Sequence, residues 1–290
     1  MHFSILIVML GLSSQSPELA ARLADIGSRC GGELGVFAQI IGTADSAGLN
    51  ETHRFPMQSV YKLPIAMAVL EQVDRKRLTL IAKVRLSTAD MVPRLHSPLR
   101  DRHPRGGVSL TIRDLIRAAI VDSDGTASDL LLRIAGGPSR VTAYLRALGV
   151  RDMEVVATER AMSTDATVQY RNYSTPRAAV GVLSALHAGQ GLSPASRTLL
   201  LQDLADSTPG AQRIKGLLPR GTPVAHKTGT DATRNGRTAA TNDIGIVTLP
   251  DGRHLAIAVF VKDSSADAAA REGAIAQAAR AAWDRWAGRQ

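Results

Sequence analysis

The sequence predicts an α/β plus all-α protein: an antiparallel sheet built from both chain termini and flanked by helices, with an all-helical domain inserted. Three observations predict it. Strand-like stretches lie near both ends of the chain, helical periodicity fills the middle, and Pro250-Asp251-Gly252 joins two apolar runs as a hairpin turn. The division expected is a leader segment at residues 1–14, an α/β domain from 15–54 together with 206–290, and an all-helical domain at 55–205.

The elements follow in order. Phe3 to Leu12 is a short apolar run followed by Ser13 and Ser14. It is too short for a permanent membrane span and has the character of a secretory signal, although only His2 precedes it. Pro17 to Arg29 reads as a helix with Leu19, Leu23 and Ile26 on one side, broken by Gly31-Gly32. Leu34 to Ile41 reads as a strand, Thr43 to Asn50 as a turn region and Glu51 to Met57 as the return strand. A helix then runs to about Arg77. The Pro- and Gly-containing stretch from Leu86 to Gly107 reads as loop. Thr111 caps a helix to Val121, with Asp114 completing a capping box. Ser123-Asp124-Gly125 interrupts it, and helices follow at Thr126 to Ile134 and Ser139 to Leu148. Val155 to Thr175 is long, polar and aperiodic, a functional loop in a compact chain. Pro176 to Ala188 and Pro194 to Ala205 are helical. Val224 to Thr230, Thr238 to Leu249 and His254 to Val261 are strands, and Asp267 to Arg285 is the terminal helix.

Composition narrows the function. The chain has 290 residues, 44% hydrophobic and 21% charged, as in a globular protein with an aliphatic core. The formal net charge of +9 raises nucleic acid as a partner. However, the arginines are spread singly, and the denser run from Arg94 to Arg105 has no interleaved aromatics. The charge reads as a solvated basic surface, suited to residence near anionic cell-wall or membrane polymers. The one cysteine, Cys30, permits no internal disulfide and reads as a small buried hydrophobe.

Chemistry concentrates at Gln58-Ser59-Val60-Tyr61-Lys62-Leu63-Pro64. Ser59 falls in the first turn of a helix and Lys62 shares its face. The unpaired N–H groups of that turn favour an oxyanion, and the ammonium is a candidate activator of the hydroxyl. Three further features recur downstream: Ser123 on a helix break, Glu159 in the long loop, and Lys227-Thr228-Gly229-Thr230 on an edge strand. Singly these are a helix cap, a helix break, a solvated acid and a strand-end lysine.

In this order they resemble the motifs of the class A serine β-lactamases. The runs Thr238 to Gly245, Glu159 to Met162 and Gln169 to Asn172 resemble the cephalosporin-hydrolysing subgroup. The resemblance covers nearly all of the chain after the leader. It implies that Ser59 attacks the lactam carbonyl, with the oxyanion between the N–H groups of Ser59 and Thr230. Lys62 deprotonates Ser59 or relays its proton. Ser123 passes a proton to the leaving nitrogen. Lys227, Thr228, Gly229 and Thr230 bind substrate, and Glu159 activates the water that cleaves the ester. It further implies no metal or other cofactor, small-molecule β-lactam substrates, no nucleic-acid partner, no stable membrane anchor, a monomer, a periplasmic or secreted location and a role in antibiotic resistance.

Two alternatives share the serine and lysines: a D,D-peptidase or penicillin-binding protein, and a penicillin sensor without turnover. Glu159 argues for hydrolysis. The sequence departs from the family pattern at Gly125 and Ser163, where Asn is usual, and at Ala157 and Asn172, where an Arg–Asp pair usually clamps the loop. Those last two suggest the wider loop of the cephalosporin-hydrolysing subgroup. A second arginine for the substrate carboxylate is expected, and Arg234 or Arg237 could serve.

Overall fold

A computed structural model describes residues 17–288; the expected leader segment lies outside them. Helix α1 (Pro17–Arg29) leads into strands β1 (Glu33–Ile40) and β2 (Ser46–Leu49). A short β3 (Phe55–Pro56) and a 3-10 turn over Gln58–Tyr61 precede α2 (Lys62–Asp74). Then come β4 (Lys83–Arg85), α3 (Pro98–Arg102), β5 (Ser109–Thr111), α4 (Ile112–Val121), α5 (Gly125–Ile134) and α6 (Pro138–Ala147). β6 (Met153–Glu154), α7 (Glu159–Thr164) and β7 (Tyr173–Ser174) lead to α8 (Pro176–His187) and α9 (Pro194–Ala205). The chain continues through β8 (Val224–Thr230), β9 (Thr233–Arg234), β10 (Arg237–Thr248), β11 (His254–Ser264) and α10 (Ala268–Ala287).

The main sheet is antiparallel in the order β2-β1-β11-β10-β8, with β9 pairing the start of β10. β1 and β11 lie side by side, Glu33 opposite Lys262 and Ile40 opposite Leu255, so both ends of the sequence build one sheet. β11 explains why its sequence is apolar throughout. Side chains alternate across a strand, and here Leu255, Ile257, Val259 and Val261 join the core formed with α1 and α10. Ala256, Ala258 and Phe260 join the larger core formed with the central helices. Trp286 locks α10 down: it is buried, and its indole N–H donates to Asp45 Oδ2 at 2.7 Å. Within the helices, Arg113 makes a two-pronged contact to the buried Asp203 at 2.6 and 2.8 Å, tying α4 to α9.

Three local expectations change. The return strand is β2, inside the stretch read as a turn; only Phe55–Pro56 of the expected strand is extended, and it pairs with β7 outside the main sheet. The chain turns at Asn50, whose φ is 48°, with His53 N bonded to Asn50 O. The β4–β5 pair emerges from a region read mostly as loop. The stretch from Val155 to Thr175 contains α7, a 3-10 helix over Ala166–Arg171 and β7. Thr158 and Asp165 provide their caps, so side-chain hydrogen bonds organise it where apolar periodicity is absent.

Candidate active site

Ser59 lies in the 3-10 turn that opens α2. Preceding it, Gln58 has a φ of 46°, a left-handed backbone unusual for a residue with a side chain. Two contacts hold the turn. Asn242 Nδ2 donates from β10 to Pro56 O at 2.8 Å and Met57 O at 3.1 Å. From β8, Gly229 presses its backbone so closely on the turn that an added Cβ would overlap Met57 O and lie 3.2 Å from Ser59 N. Only glycine permits that approach. It brings the strand carrying Thr230 against the backbone N–H of Ser59.

Ser123 joins the two lysines. It sits between α4 and α5 with a φ of 57°. Lys62 Nζ donates to its carbonyl at 2.6 Å, and Lys227 Nζ donates to its hydroxyl at 2.9 Å. Lys62 and Lys227 are both buried. The Lys227 ammonium is held well below its ordinary pKa, first by burial and then by the charge of Lys62. The adjoining Asp124 is structural. It is buried, caps α5 through Ala127 N at 2.8 Å and accepts Leu99 N at 2.6 Å, which fixes the loop bearing Ser123.

Glu159 is the first residue of α7 and is 3% exposed. Its Oε1 lies 3.0 Å from Lys62 Nζ. The angle is not that of a hydrogen bond, so this buried oxygen accepts none from the described residues. Its backbone is pinned from α5: Asp129 accepts Glu159 N at 2.7 Å and Arg160 N at 2.9 Å. Burial pushes the Asp129 carboxyl up to about 6. Asn172 clamps the same loop. Its Oδ1 accepts Val156 N and Ala157 N, both at 2.8 Å, and its Nδ2 donates to Ala157 O at 2.9 Å. A single amide thus grips the backbone at Ala157, where its side chain has no polar group. Ser163 donates its hydroxyl proton to Arg160 O at 2.7 Å, within α7. Gly125 N donates to His96 O at 3.0 Å, and a Cβ there would lie 3.6 Å from the Glu159 carboxyl carbon. The same Cβ would lie 3.1 Å from His96 O, so the backbone packs closely here.

Arg234 and Arg237, the two candidates for a second arginine, each make another contact. Arg234 pairs with Asp231 at 2.6 Å, and Arg237 donates to Asp263 O at 3.0 Å. Arg213 lies against the Thr230 end of β8: it is buried and donates to Thr230 Oγ1 at 2.8 Å and Asn242 O at 2.9 Å, and its Nε to Glu272 at 3.0 Å. Arg213, Asn242 and Asp129 are the site residues that sequence reasoning missed. Arg213 lies in an irregular stretch with no motif. Asp129 carried one signal, its position one turn after Gly125 on α5.

The profile of the Beta-lactamase enzyme family matches residues 18–286. The extended-spectrum β-lactamase PER-1 of Pseudomonas aeruginosa is 38% identical over 271 residues, covering 93% of this chain and 88% of PER-1. The chain belongs to the class A serine β-lactamases. VEB-1 of the same species is 34% identical and covers 97% of this β-lactamase and 96% of its own length. Solved relatives have the same fold. TLA-1 extended-spectrum β-lactamase aligns with a TM-score of 0.91 at 38% identity, covering 94% of this chain and all of that one. A β-lactamase from Chitinophaga pinensis aligns with a TM-score of 0.89 at 40% identity, covering 92% and 99%. The resemblance read from the motifs is therefore membership, and β-lactam hydrolysis is the family's chemistry.

Proposed function

We propose that this β-lactamase hydrolyses cephalosporins as well as penicillins through an acyl ester on Ser59, cleared by water that Glu159 activates. The observation that carries the reading is the placement of Lys62 Nζ, 3.0 Å from Glu159 Oε1 and 2.6 Å from Ser123 O, one turn after Ser59. A proton leaving Ser59 passes to Lys62, or to Glu159 through water. The Ser59 Oγ–carbon bond forms as the lactam carbon–nitrogen bond breaks, and the nitrogen takes its proton from Ser123, which the ammonium of Lys227 orients. The N–H groups of Ser59 and Thr230 stabilise the oxyanion, each donor contributing about 2.7–4 kcal/mol. Lys227, Thr228 and Thr230 bind the substrate carboxylate, with Arg213 steadying Thr230. In the second half, Glu159 takes a proton from water, whose oxygen attacks the ester carbon; the carbon–Ser59 Oγ bond breaks, and the protons held by Glu159 and Lys62 return to Ser59 and Ser123.

The extended-spectrum names of PER-1 and TLA-1 support cephalosporins as substrates. The reading includes a division into an α/β domain, 15–54 with 206–290, and a helical domain, 55–205; the core around α1 and α10 draws only on the first, whereas the core around the central helices also takes Phe37, Ile244 and Phe260 from the sheet. The reading includes a monomer acting in the periplasm or outside the cell; among the described residues no helix is long and apolar enough to cross a membrane. The test is lactam loss by absorbance for one cephalosporin and one penicillin. The wild type is expected to turn over both many times, and Ser59→Gly neither. A persistent one-to-one adduct with slow lactam loss would instead favour a penicillin-binding protein or sensor.

A further inference from the structure

We propose that a slot at the far end of β8 from Thr230 binds a small amphipathic anion, its head held by Arg197, His187 and His254 and its apolar body against Leu201, Val224 and Ile246. The slot holds about 280 Å³, close to the lower end of small-molecule sites. It opens between the end of α8, the face of α9 and the ends of β8, β10 and β11. The imidazoles of His187 and His254 meet there with ring centroids 4.5 Å apart. Arg197 is half-buried beside them, and its guanidinium makes no hydrogen bond or ion pair among the described residues.

Other half-buried arginines of this protein are paired. Arg113 and Arg285 each meet a carboxylate, but no residue lining the slot is acidic. The local field is felt: His187 is held below its ordinary pKa by burial, then by His254 and Arg197. A guanidinium and two imidazoles facing one partly desolvated slot without a counter-charge favour an anion. A planar guanidinium also gives paired donors to a carboxylate or sulfonate. The apolar walls require more than an inorganic ion to fill them. Val224 and Thr230 stand six positions apart on β8, about 20 Å of extended chain, so this site is distinct from the one around Ser59.

The probe is 1-octanesulfonate, a permanent anion with a short alkyl tail, titrated calorimetrically at low salt below its micelle concentration. One saturable site per chain is expected. Binding should weaken at least tenfold in Arg197→Gln and severalfold in His254→Gln, and 1-octanol should not reproduce it. Unchanged lactam turnover certifies that each variant is folded. Absence of saturable binding to the wild type, equal binding by 1-octanol, or undiminished binding by both folded variants would each overturn the proposal.

Discussion

Asp129 sets two demands against each other. Ionised, it accepts the N–H groups of Glu159 and Arg160 with both oxygens and holds the start of α7. Burial opposes that ionisation and raises its pKa from 3.8 to about 6. The folded protein therefore binds this proton more tightly than the unfolded chain. The stability linked to this group is full below about pH 4 and declines as pH rises to about 6, by on the order of 3 kcal/mol. Turnover runs the other way and should show an acid limb near pH 6. Measured between pH 4 and 7, the stability difference between Asp129→Asn and wild type should move in the variant's favour. The variant should also lose the acid limb and deacylate more slowly, because an amide presents one acceptor where two are used. A stability difference independent of pH would contradict this assignment. Gly229 makes a simpler prediction. Alanine there places a methyl group against Met57 O, which should destabilise the fold by about 2 kcal/mol. It should also lower kcat/KM at least tenfold by separating β8 from the Ser59 turn, read from denaturant midpoints and initial rates.

At the scale of elements, the loop carrying Glu159 depends on Asn172. Each of its three hydrogen bonds contributes about 1 kcal/mol net, and all converge on Val156 and Ala157. Asn172→Ala should leave acylation of Ser59 near wild-type rate, slow release of the acyl group severalfold, and speed amide exchange across residues 156–164. Elements also separate what the sequence made legible from what it did not. β8 was read with its true ends because Lys227-Thr228-Gly229 marks it, and α4 because Thr111 and Asp114 form the capping box observed. β2 was missed because Ser46-Ala47-Gly48-Leu49 contains no β-branched residue; pairing with β1 makes it a strand. Arg213 was missed for the same kind of reason. Its role comes from reaching across to Thr230 and Asn242, a tertiary fact without local pattern.

For the whole molecule, the sheet explains how distant stretches of sequence form one site. β10 is the hinge of that arrangement: it pairs Asn242 with Gly229 of β8, and the same Asn242 staples the turn before Ser59. The central helices deliver Ser123 from the α4–α5 break and Glu159 from α7, and Lys62 meets both. The architecture was legible because strand patterns at both ends leave only a shared sheet. The proposed division of labour at the site rests on the family motifs. The departures at Gly125 and Ser163 leave this meeting intact, so Glu159 should complete a working deacylation site. The most direct test is intact-protein mass over time after mixing Glu159→Gln with a cephalosporin, beside the wild type. A stoichiometric adduct on Ser59 should persist in the variant and clear rapidly in the wild type. Equal clearance by both would contradict it.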